Sequence, residues 1–374
     1  MKIEDFGVEI WMNAHETHCR FNIAETCVDS ITFADLMQMA GRSQAILGEL
    51  NGLKLTYGAI EGSARLKAAI AALYTGRAAD EVLVTHGAAG ANALLYAALV
   101  EPGDEVIAVV PTYQQHISIP ESLGAVVRPL TLRAEEGYQP DLTALEALIT
   151  PRTRLISLTN PNNPTGVVVR DDLLQGLAKL AARHDLWVIS DEVYRGVNQG
   201  NDALSPSLAE IYPKGIAVGS MSKAFAMAGL RLGWIVAPPA LLHQVMIHRD
   251  YNTISVGMID DLIASIALEN REALLDRNRQ IVRTNLDILA RWVEGEPAVS
   301  WFRPDGATVT LLRYDLDLPS RAFCENLLEE TGVLLVPGSV FGVEGCVRIG
   351  FGNGTETLKA ALPLVSDFLR RHGR

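Results

Sequence analysis

The feature that most constrains the fold of this chain is an alternation of apolar, strand-like runs with amphipathic helical runs, from about residue 63 to about residue 240. The strand-like runs, among them "EVLVTHG", "DEVIAVV", "RLISLTN" and "LWVISDEVY", are rich in Val, Ile and Leu and show little period-2 pattern. Strands of this kind are buried on both faces, as in parallel sheets whose connections are helices. The sequence therefore predicts an α/β fold with a three-layer αβα domain, in which helices cover both faces of a mostly parallel sheet.

The length of 374 residues exceeds the size at which one hydrophobic core usually stops growing. We therefore expect a large α/β domain over residues 45–255, followed by a linking helix and a smaller α+β domain over residues 256–374. The strand-like "TVTLLRY" and "CVRIGF" and the helical "SRAFCENLLEETG" fit the smaller domain. Residues 1–44 are expected to form an N-terminal arm that packs on it.

Composition and charge argue against several classes of protein. Hydrophobic residues make up 48% of the chain and charged residues 20%, which is typical of a globular protein. The net charge of -12 argues against a nucleic-acid partner, because phosphates need a basic surface. The start, "MKIEDFGVEIWMNAHE", has acids where a signal peptide is apolar, and no apolar run reaches the roughly 20 residues that span a bilayer. Four scattered cysteines without metal-ligand spacing favour reduced thiols, so we expect a cytoplasmic protein with no metal and no membrane contact.

Polar residues and turns follow several of the predicted strands. Gly87 follows "EVLVTH", the turn "NPNNPTG" overlaps the end of "RLISLTN", and Asp191 and Tyr194 end "LWVISDEVY". Lys223 and Arg231 follow the strand-like "GIAVGS". In sheets of this type a ligand lies beyond the carboxyl ends of the strands, so these residues are candidates for one common site.

Lys223 lies in "GSMSKAFAMAGLRLG", and the residues allow two interpretations of it. In the first, it is a strand-end lysine whose ammonium reaches water. In the second, it is a nucleophilic amine that forms a Schiff base with a carbonyl, beside hydroxyls and an arginine that suit a phosphate. The order of groups at the strand ends favours the second: glycine turn, aromatic, asparagine, aspartate with tyrosine, then lysine with arginine.

Four motifs carry a family resemblance: "NPNNPTG", "SDEVY", "SMSKAFAMAGLRLGW" and "VRIGF", in this order. They resemble those of the fold type I pyridoxal-phosphate enzymes of the class I/II aminotransferase family, and the resemblance covers essentially the whole chain. It implies pyridoxal 5'-phosphate as the cofactor. The segments "HRDYNTIS" and "VLLVPGSVFG" are similar to a capreomycidine-synthase-like branch that acts on arginine-derived amino acids.

The resemblance implies a role for each candidate residue. Lys223 would hold the cofactor as a Schiff base and carry protons between substrate and cofactor, because a neutral amine is both nucleophile and base. Asp191 would pair with the pyridine nitrogen and keep it protonated. Tyr113 would stack on the cofactor ring, and Asn163 and Tyr194 would donate to its phenolic oxygen. The phosphate would be held by Gly87, Ala88, Ala89, Ser220 and Arg231.

Two further residues extend the implied site. Arg348 in "CVRIGF" matches the arginine that binds the substrate α-carboxylate, with Asn163 beside it. Tyr57 in "LTYGAIEG" matches a tyrosine that reaches the phosphate of the neighbouring subunit, which implies a homodimer with shared active sites. Without the other motifs, a surface arginine on a strand would be the favoured interpretation of Arg348. For Tyr57, a packed core aromatic is as good an interpretation as the phosphate contact. The loop "GAAGAN" after the glycine turn departs from the family, because it lacks the hydroxyl residue that many relatives use for the phosphate.

The N-terminal arm bears on the substrate. Glu9, Glu16 and Glu25 are suited to pair with a guanidinium, although a solvated arm is the alternative interpretation. Because cofactor motifs do not show which bond at the α carbon breaks, three hypotheses stay open. The leading one is an aminotransferase acting on an L-amino acid and a 2-oxo acid. The others are a pyridoxal-phosphate-dependent cyclase, oxidase or lyase acting on an arginine-like amino acid, and a regulatory protein of this fold. The regulator is disfavoured because no basic helix-turn-helix segment precedes the arm.

Overall fold

A computed structural model describes residues 2–200 and 204–373. Its helices are α1 Gly7–His15, α2 Phe33–Ala40, α3 Ser43–Gly52, α4 Ala64–Ala71, α5 Gly87–Leu99, α6 Gln115–Ser122, α7 Leu142–Leu148, α8 Asp171–Arg183, α9 Leu208–Ile211, α10 Pro239–Asp250, α11 Met258–Glu269, α12 Arg271–Gly295, α13 Ser320–Thr331 and α14 Thr355–His372. Its strands are β1 Phe21–Asn22, β2 Val82–Thr85, β3 Glu105–Val110, β4 Val126–Thr131, β5 Thr153–Thr159, β6 Trp187–Asp191, β7 Gly215–Ser220, β8 Gly233–Val236, β9 Val299–Trp301, β10 Val309–Tyr314, β11 Val333–Leu334, β12 Val336–Pro337 and β13 Cys346–Gly350.

The largest sheet is mostly parallel. Its strands lie in the order β2-β8-β7-β6-β5-β3-β4, and the neighbouring pairs are parallel except for those that β8 forms with β2 and β7. Because β8 is antiparallel to its neighbours, it begins at the edge of the sheet where the other strands end. The predicted α/β fold with a mostly parallel sheet is confirmed, and the antiparallel strand is a feature that the sequence analysis did not anticipate.

Helices cover both faces of this sheet because successive side chains of a strand point to opposite sides. On one face, Leu155 and Ile189 pack with side chains of α5 and α10. On the other, Ile156 and Val188 pack with side chains of α7, α8 and α9. These apolar layers fix the strand ends, and with them the side chains that follow the strands.

A second, antiparallel sheet in the order β12-β13-β10-β9 lies in the C-terminal part of the chain. Phe323 of α13 and Phe368 of α14 pack edge to face in the core of this region, with ring centroids 5.2 Å apart. The N-terminal segment joins the same region, since β1 pairs in parallel with β11. The indole N–H of Trp11 also donates to the carbonyl of Leu335 at 2.8 Å.

The described part of the chain has no helix that is long and apolar enough to cross a membrane. The cellular location stays a prediction. The four cysteines, Cys19, Cys27, Cys324 and Cys346, are free thiols in the structure.

Candidate active site

A cavity of about 570 Å³ is lined by residues that follow the ends of the parallel strands. Side chains of the N-terminal segment and of the second sheet complete its walls. The residues predicted from the sequence that line it are Glu9, Glu16, Glu25, Ala88, Ala89, Tyr113, Asn163, Asp191, Tyr194, Ser220, Lys223, Arg231 and Arg348. Gly87 is next to the guanidinium of Arg231, and Tyr57 lies outside the cavity.

The sheet topology explains why residues far apart in sequence meet here. Asp191 is the last residue of β6, Asn163 follows β5 and Lys223 follows β7, so three neighbouring parallel strands bring them to one edge. Arg231 precedes β8, and because β8 is antiparallel its start lies at the same edge. The predicted clustering of strand-end residues therefore has a direct structural cause.

The amine of Lys223 contacts the N-terminal segment. Its Nζ donates to Thr26 Oγ1 at 2.6 Å and to Cys27 Sγ at 3.4 Å. Burial alone would lower the pKa of Lys223, but the nearby acidic groups of Cys27, Tyr194 and Glu25 raise it above its ordinary value. Conversely, burial alone would raise the pKa of Glu25, and the charge of Lys223 is the main cause that lowers it. The amine is thus held as an ammonium in this arrangement.

Asp191 is a buried carboxylate with fixed neighbours. Asn92 Nδ2 donates to Asp191 Oδ2 at 2.9 Å. His116 Nε2 lies 3.7 Å from the same oxygen, and the other ring nitrogen of His116 lies 2.7 Å from Ser157 Oγ and 2.9 Å from Tyr96 Oη. These contacts hold the carboxylate in one orientation at the cavity wall.

One part of the cavity is suited to an anion. Helix α5 begins at Gly87, whose φ of +66° is left-handed, and Ala88 and Ala89 of its first turn line the cavity. A Cβ on Gly87 would lie 3.0 Å from Arg231 Nη2, so the glycine lets the guanidinium approach the start of the helix. Free N–H groups at a helix start and an arginine fork both favour a phosphate.

Arg348 is a buried guanidinium, so it is not the surface arginine that its strand alone would allow. Its Nη1 donates to Asn163 Oδ1 at 3.2 Å and its Nη2 donates to the carbonyl of Ala24 at 3.0 Å. Its Nε has no hydrogen-bond partner among the described residues. A fixed guanidinium with a spare donor suits a carboxylate, and Asn163, whose oxygen faces Arg348, keeps its amide N–H groups for another acceptor.

Helix α1 brings carboxylates to the cavity wall. The hydroxyl of Tyr113 donates to Glu9 Oε1 at 2.6 Å, and its ring packs against Phe6 with centroids 4.7 Å apart. Burial, together with the charge of Glu9, raises the pKa of the Tyr113 hydroxyl. Glu16 is exposed at the cavity rim.

Tyr57 does not reach the cavity of its own chain, and with 74% of its surface exposed it is not a packed core aromatic. Other large apolar side chains in its loop and in the segment after α10 are also exposed, namely Leu55, Ile60, Tyr251 and Ile254. The Tyr57 loop lies against the start of α11, since a Cβ on Gly58 would lie 3.0 Å from Met258 Cγ.

The sequence analysis missed several residues next to the predicted ones. Asn92 and His116 face Asp191. Asn92 is a polar residue within the otherwise apolar α5, which is a signal that could have marked it, whereas the largely polar sequence of α6 does not single out His116. Thr26 and Cys27 contact Lys223 across nearly 200 residues of sequence. No pattern in the sequence marks them, because only the folded N-terminal segment brings them to the lysine.

Comparisons with known proteins agree with this geometry. The model of the family described as "Aminotransferase class I and II" matches residues 34–362. The chain is 32% identical to a capreomycidine synthase of Streptomyces vinaceus, over 98% of this chain and 94% of that protein. It is 34% identical to an arginine–pyruvate transaminase of Pseudomonas aeruginosa, over 85% and 83% of the two chains. The crystal structure of a PLP-dependent aminotransferase from Streptococcus suis has a TM-score of 0.96 with it at 42% identity, and the match covers 100% of both chains. The chain therefore belongs to the class I and II aminotransferase family.

Proposed function

We propose that this chain is a pyridoxal-phosphate-dependent aminotransferase that moves an amino group between an L-amino acid and a 2-oxo acid, with Lys223 as its Schiff-base lysine. The observation that carries the proposal is that Lys223, Asp191, Arg231 and Arg348 line one cavity. The reaction needs an amine, an anion beside a pyridinium, a cation for a phosphate and a cation for a carboxylate. These four side chains supply that set.

The residues present fit the cofactor. The absence of a Cβ at Gly87 leaves room for Arg231 at the start of α5, which is the kind of cradle that a phosphate fills. The hydroxyl missing from "GAAGAN" removes one donor, but the N–H groups of Ala88 and Ala89 remain. The groups that would surround the cofactor are Arg231, Ser220, Ala88 and Ala89 at the phosphate, Asp191 at the ring nitrogen, Asn163 and Tyr194 at the ring oxygen, and Tyr113 against the ring.

Pyridoxal phosphate, when bound, draws electrons from the bonds of the substrate α carbon. Asp191 would keep the ring nitrogen protonated, because a buried carboxylate favours a cation beside it. Lys223 would take a proton from the α carbon and return it to a carbon of the cofactor, so that no proton is consumed overall. Asn92 would act indirectly by orienting Asp191.

The cations of the cavity limit the choice of substrate. Arg348 would hold the α-carboxylate, with Asn163 beside it. Among the described residues that line the cavity, the remaining Lys and Arg side chains are Lys223 and Arg231, and both already have a role. A dicarboxylic amino acid such as aspartate would need a further cation for its distal carboxylate.

The carboxylates of the N-terminal segment point to the opposite preference. Glu9, Glu16 and Glu25 line the cavity, and none of them is among the groups proposed to contact the cofactor directly. A carboxylate in such a position discriminates strongly in favour of a guanidinium or an ammonium. The proposed amino donor is therefore a basic or long polar amino acid.

A second candidate function is a pyridoxal-phosphate-dependent cyclase, oxidase or lyase that acts on an arginine-like amino acid. The match to a capreomycidine synthase over nearly the whole of both chains favours it. The contacts to the cofactor would be the same for either chemistry, so the two candidates differ only in the fate of the substrate.

The proposed enzyme is a homodimer in which Tyr57 of each subunit reaches the phosphate site of the other. The exposed apolar surface around Tyr57 supports a second copy of the chain as its occupant, because large apolar side chains concentrate there. A tyrosine that is exposed in one chain would thereby gain both burial and an acceptor for its hydroxyl.

A panel of amino donors tests the proposed reaction. Arginine, ornithine, lysine, alanine, aspartate and phenylalanine would each be supplied with pyruvate or 2-oxoglutarate, with product mass spectrometry and an oxygen electrode as readouts. We expect a basic donor to yield its 2-oxo acid together with alanine or glutamate, without oxygen uptake. Oxygen uptake, or a cyclised or shortened product without transfer to the acceptor, would instead establish the second candidate. A preference for aspartate or phenylalanine would contradict the proposed role of the acidic residues.

A further inference from the structure

The side chain of Lys223 has a hydrogen-bond acceptor that neither the family motifs nor the proposed cofactor contacts include. Thr26 Oγ1 accepts from Lys223 Nζ at 2.6 Å, and both side chains line the cavity. Cys27 Sγ is farther away at 3.4 Å, and sulfur accepts hydrogen bonds only weakly. The hydroxyl of Thr26 is therefore the stronger partner of the amine.

The position of Thr26 is fixed by its backbone. Its N–H donates to Glu25 Oε1 at 2.7 Å and its carbonyl accepts from Thr308 Oγ1 at 2.5 Å. Gly350 and Gly352 pass so close to the carbonyls of Glu25 and Cys27 that a Cβ on either glycine would collide with them. The backbone at the end of β13 therefore holds this segment from one side, which limits how far Thr26 can move away from the lysine.

A fixed acceptor matters for a lysine that must move a proton. Ordering a free lysine side chain costs roughly 2 kcal/mol of rotamer entropy. A contact that already orders the side chain before proton transfer lowers the part of this cost that adds to the activation free energy. A neutral amine that donates one N–H to Thr26 also keeps its lone pair for the hydrogen of the substrate α carbon. The contact therefore orients the amine and leaves its lone pair free to accept the proton.

We infer that Thr26 is a positioning residue, which holds the amine of Lys223 in place for proton transfer whenever the amine is not bonded to the cofactor. The inference rests on the proposed function, in which Lys223 moves the α proton. In that step the C–H bond of the substrate breaks and an N–H bond forms, and the proton is then returned to a carbon of the cofactor. Thr26 neither gains nor loses a proton.

The test compares Thr26→Val, which removes the hydroxyl but keeps the shape, with Thr26→Ser, which keeps the hydroxyl. The control is Thr310→Val, because Thr310 on β10 is buried and its hydroxyl has no partner in the described part of the chain. For the holoenzyme with its best amino donor, we expect Thr26→Val to lower kcat by about tenfold or more while KM and cofactor affinity change by less than about threefold. The isotope effect of an α-deuterated donor on kcat should rise, Thr26→Ser should recover most of the rate, and Thr310→Val should match the parent.

A second readout does not depend on turnover. In the cofactor-free protein, reductive methylation followed by peptide mass spectrometry measures how fast the amine of Lys223 reacts at a series of pH values. Loss of the acceptor should destabilise the ammonium, so Lys223 in Thr26→Val should be methylated about threefold faster near neutral pH.

Several results would overturn the inference. They are a folded Thr26→Val with kcat within about twofold of the parent, equal impairment of Thr26→Val and Thr26→Ser, or unchanged methylation of Lys223. If the parent protein transfers no amino group at all, the proposed function fails while the methylation rates still show whether Thr26 holds the amine.

Discussion

Asp191 and Glu192 are neighbouring carboxylates with opposite environments, as expected for consecutive residues at the end of a strand. Asp191 lines the cavity and accepts from Asn92. Glu192 is buried away from it, where Oε1 accepts from Ser207 Oγ at 2.8 Å and Oε2 lies 3.9 Å from Arg195 Nε. Burial raises the pKa of Glu192 to about 7, although Arg195 opposes that shift. The motif "SDEVY" thus supplies one carboxylate to the candidate site and one to the core.

We expect Glu192→Gln to change how stability depends on pH. The folded pKa of about 7 lies above the ordinary value of 4.5, so the folded chain binds this proton more tightly than the unfolded chain. That stabilisation is complete below about pH 4.5 and is lost as the pH rises through about 7. Between these limits the free energy of unfolding of the parent should fall, relative to that of Glu192→Gln, by on the order of 3 kcal/mol.

Urea unfolding at a series of pH values measures this difference. Glu294→Gln is the control, because Glu294 is exposed on α12 and the substitution removes the same charge. Parallel pH profiles for the parent and Glu192→Gln would show that Glu192 is not protonated in the folded core.

Asp191→Asn should retain the cofactor but react slowly. The amide is nearly the same size as the carboxylate, so the cavity is preserved, but it leaves the ring nitrogen without an anionic partner. Loss of one preorganised electrostatic partner typically costs about a hundredfold or more in rate. Single-turnover measurements on cofactor-saturated protein test this, and near-parental rates would remove Asp191 from the proposed mechanism.

At the residue scale, the sequence predicted which side chains at strand ends line the cavity better than it predicted which side chains reach the cavity from the N-terminal segment. Asp191 and Lys223 lie in motifs at strand ends, and parallel strands bring such ends together. Thr26 reaches Lys223 only through the tertiary path of the N-terminal segment. Nothing in the local sequence specifies that path.

At the level of elements, the alternation of apolar and amphipathic segments predicted the strands of the large sheet because burial on both faces leaves a simple pattern. The direction of β8 left no such pattern, since a short apolar strand reads the same in either orientation. That direction is what places Arg231 at the strand-end edge. For α1, the sequence analysis named Glu9 as a candidate, and Glu9 lines the cavity, whereas its contact with Tyr113 was not anticipated.

Helix α1 should contribute to substrate choice through Glu9. Glu9→Gln keeps a hydrogen-bonding group for Tyr113 but removes the charge. If a cationic side chain binds there, loss of one charge-assisted contact should raise KM for arginine about tenfold to a hundredfold and leave KM for alanine nearly unchanged. Steady-state kinetics with both donors test this, and equal changes for both would show that Glu9 serves only to hold Tyr113.

At the scale of the whole molecule, the fold class, the family, the enzyme class and the cofactor expected from the sequence are confirmed by the family match and by the similarity to solved aminotransferase structures. The reaction, the substrate and the role of each site residue are proposals. The domain boundaries also stay predictions, and the first of them, at residues 44 and 45, falls inside helix α3. A family motif specifies chemistry at the cofactor, whereas substrate choice depends on walls built from several parts of the chain.

A mixed dimer tests whether active sites are shared between subunits. One chain would carry Tyr57→Phe and the other Lys223→Ala, so that one of the two sites has both an intact lysine and an intact tyrosine from its neighbour. We expect Tyr57→Phe homodimers to be impaired, Lys223→Ala homodimers to be inactive, and the mixed dimer to recover about half of the parental activity, as one intact site of two requires. Activity no higher than that of the Tyr57→Phe homodimer would show that Tyr57 does not serve the other chain.

The central claim is that Lys223 carries the cofactor. Borohydride reduction of the holoenzyme, followed by peptide mapping, would fix the cofactor to the amine that holds it. The account predicts a pyridoxyl group on the peptide that contains Lys223, and loss of both the label and turnover in Lys223→Ala. A pyridoxyl group on a different lysine, with Lys223 unmodified, would contradict it.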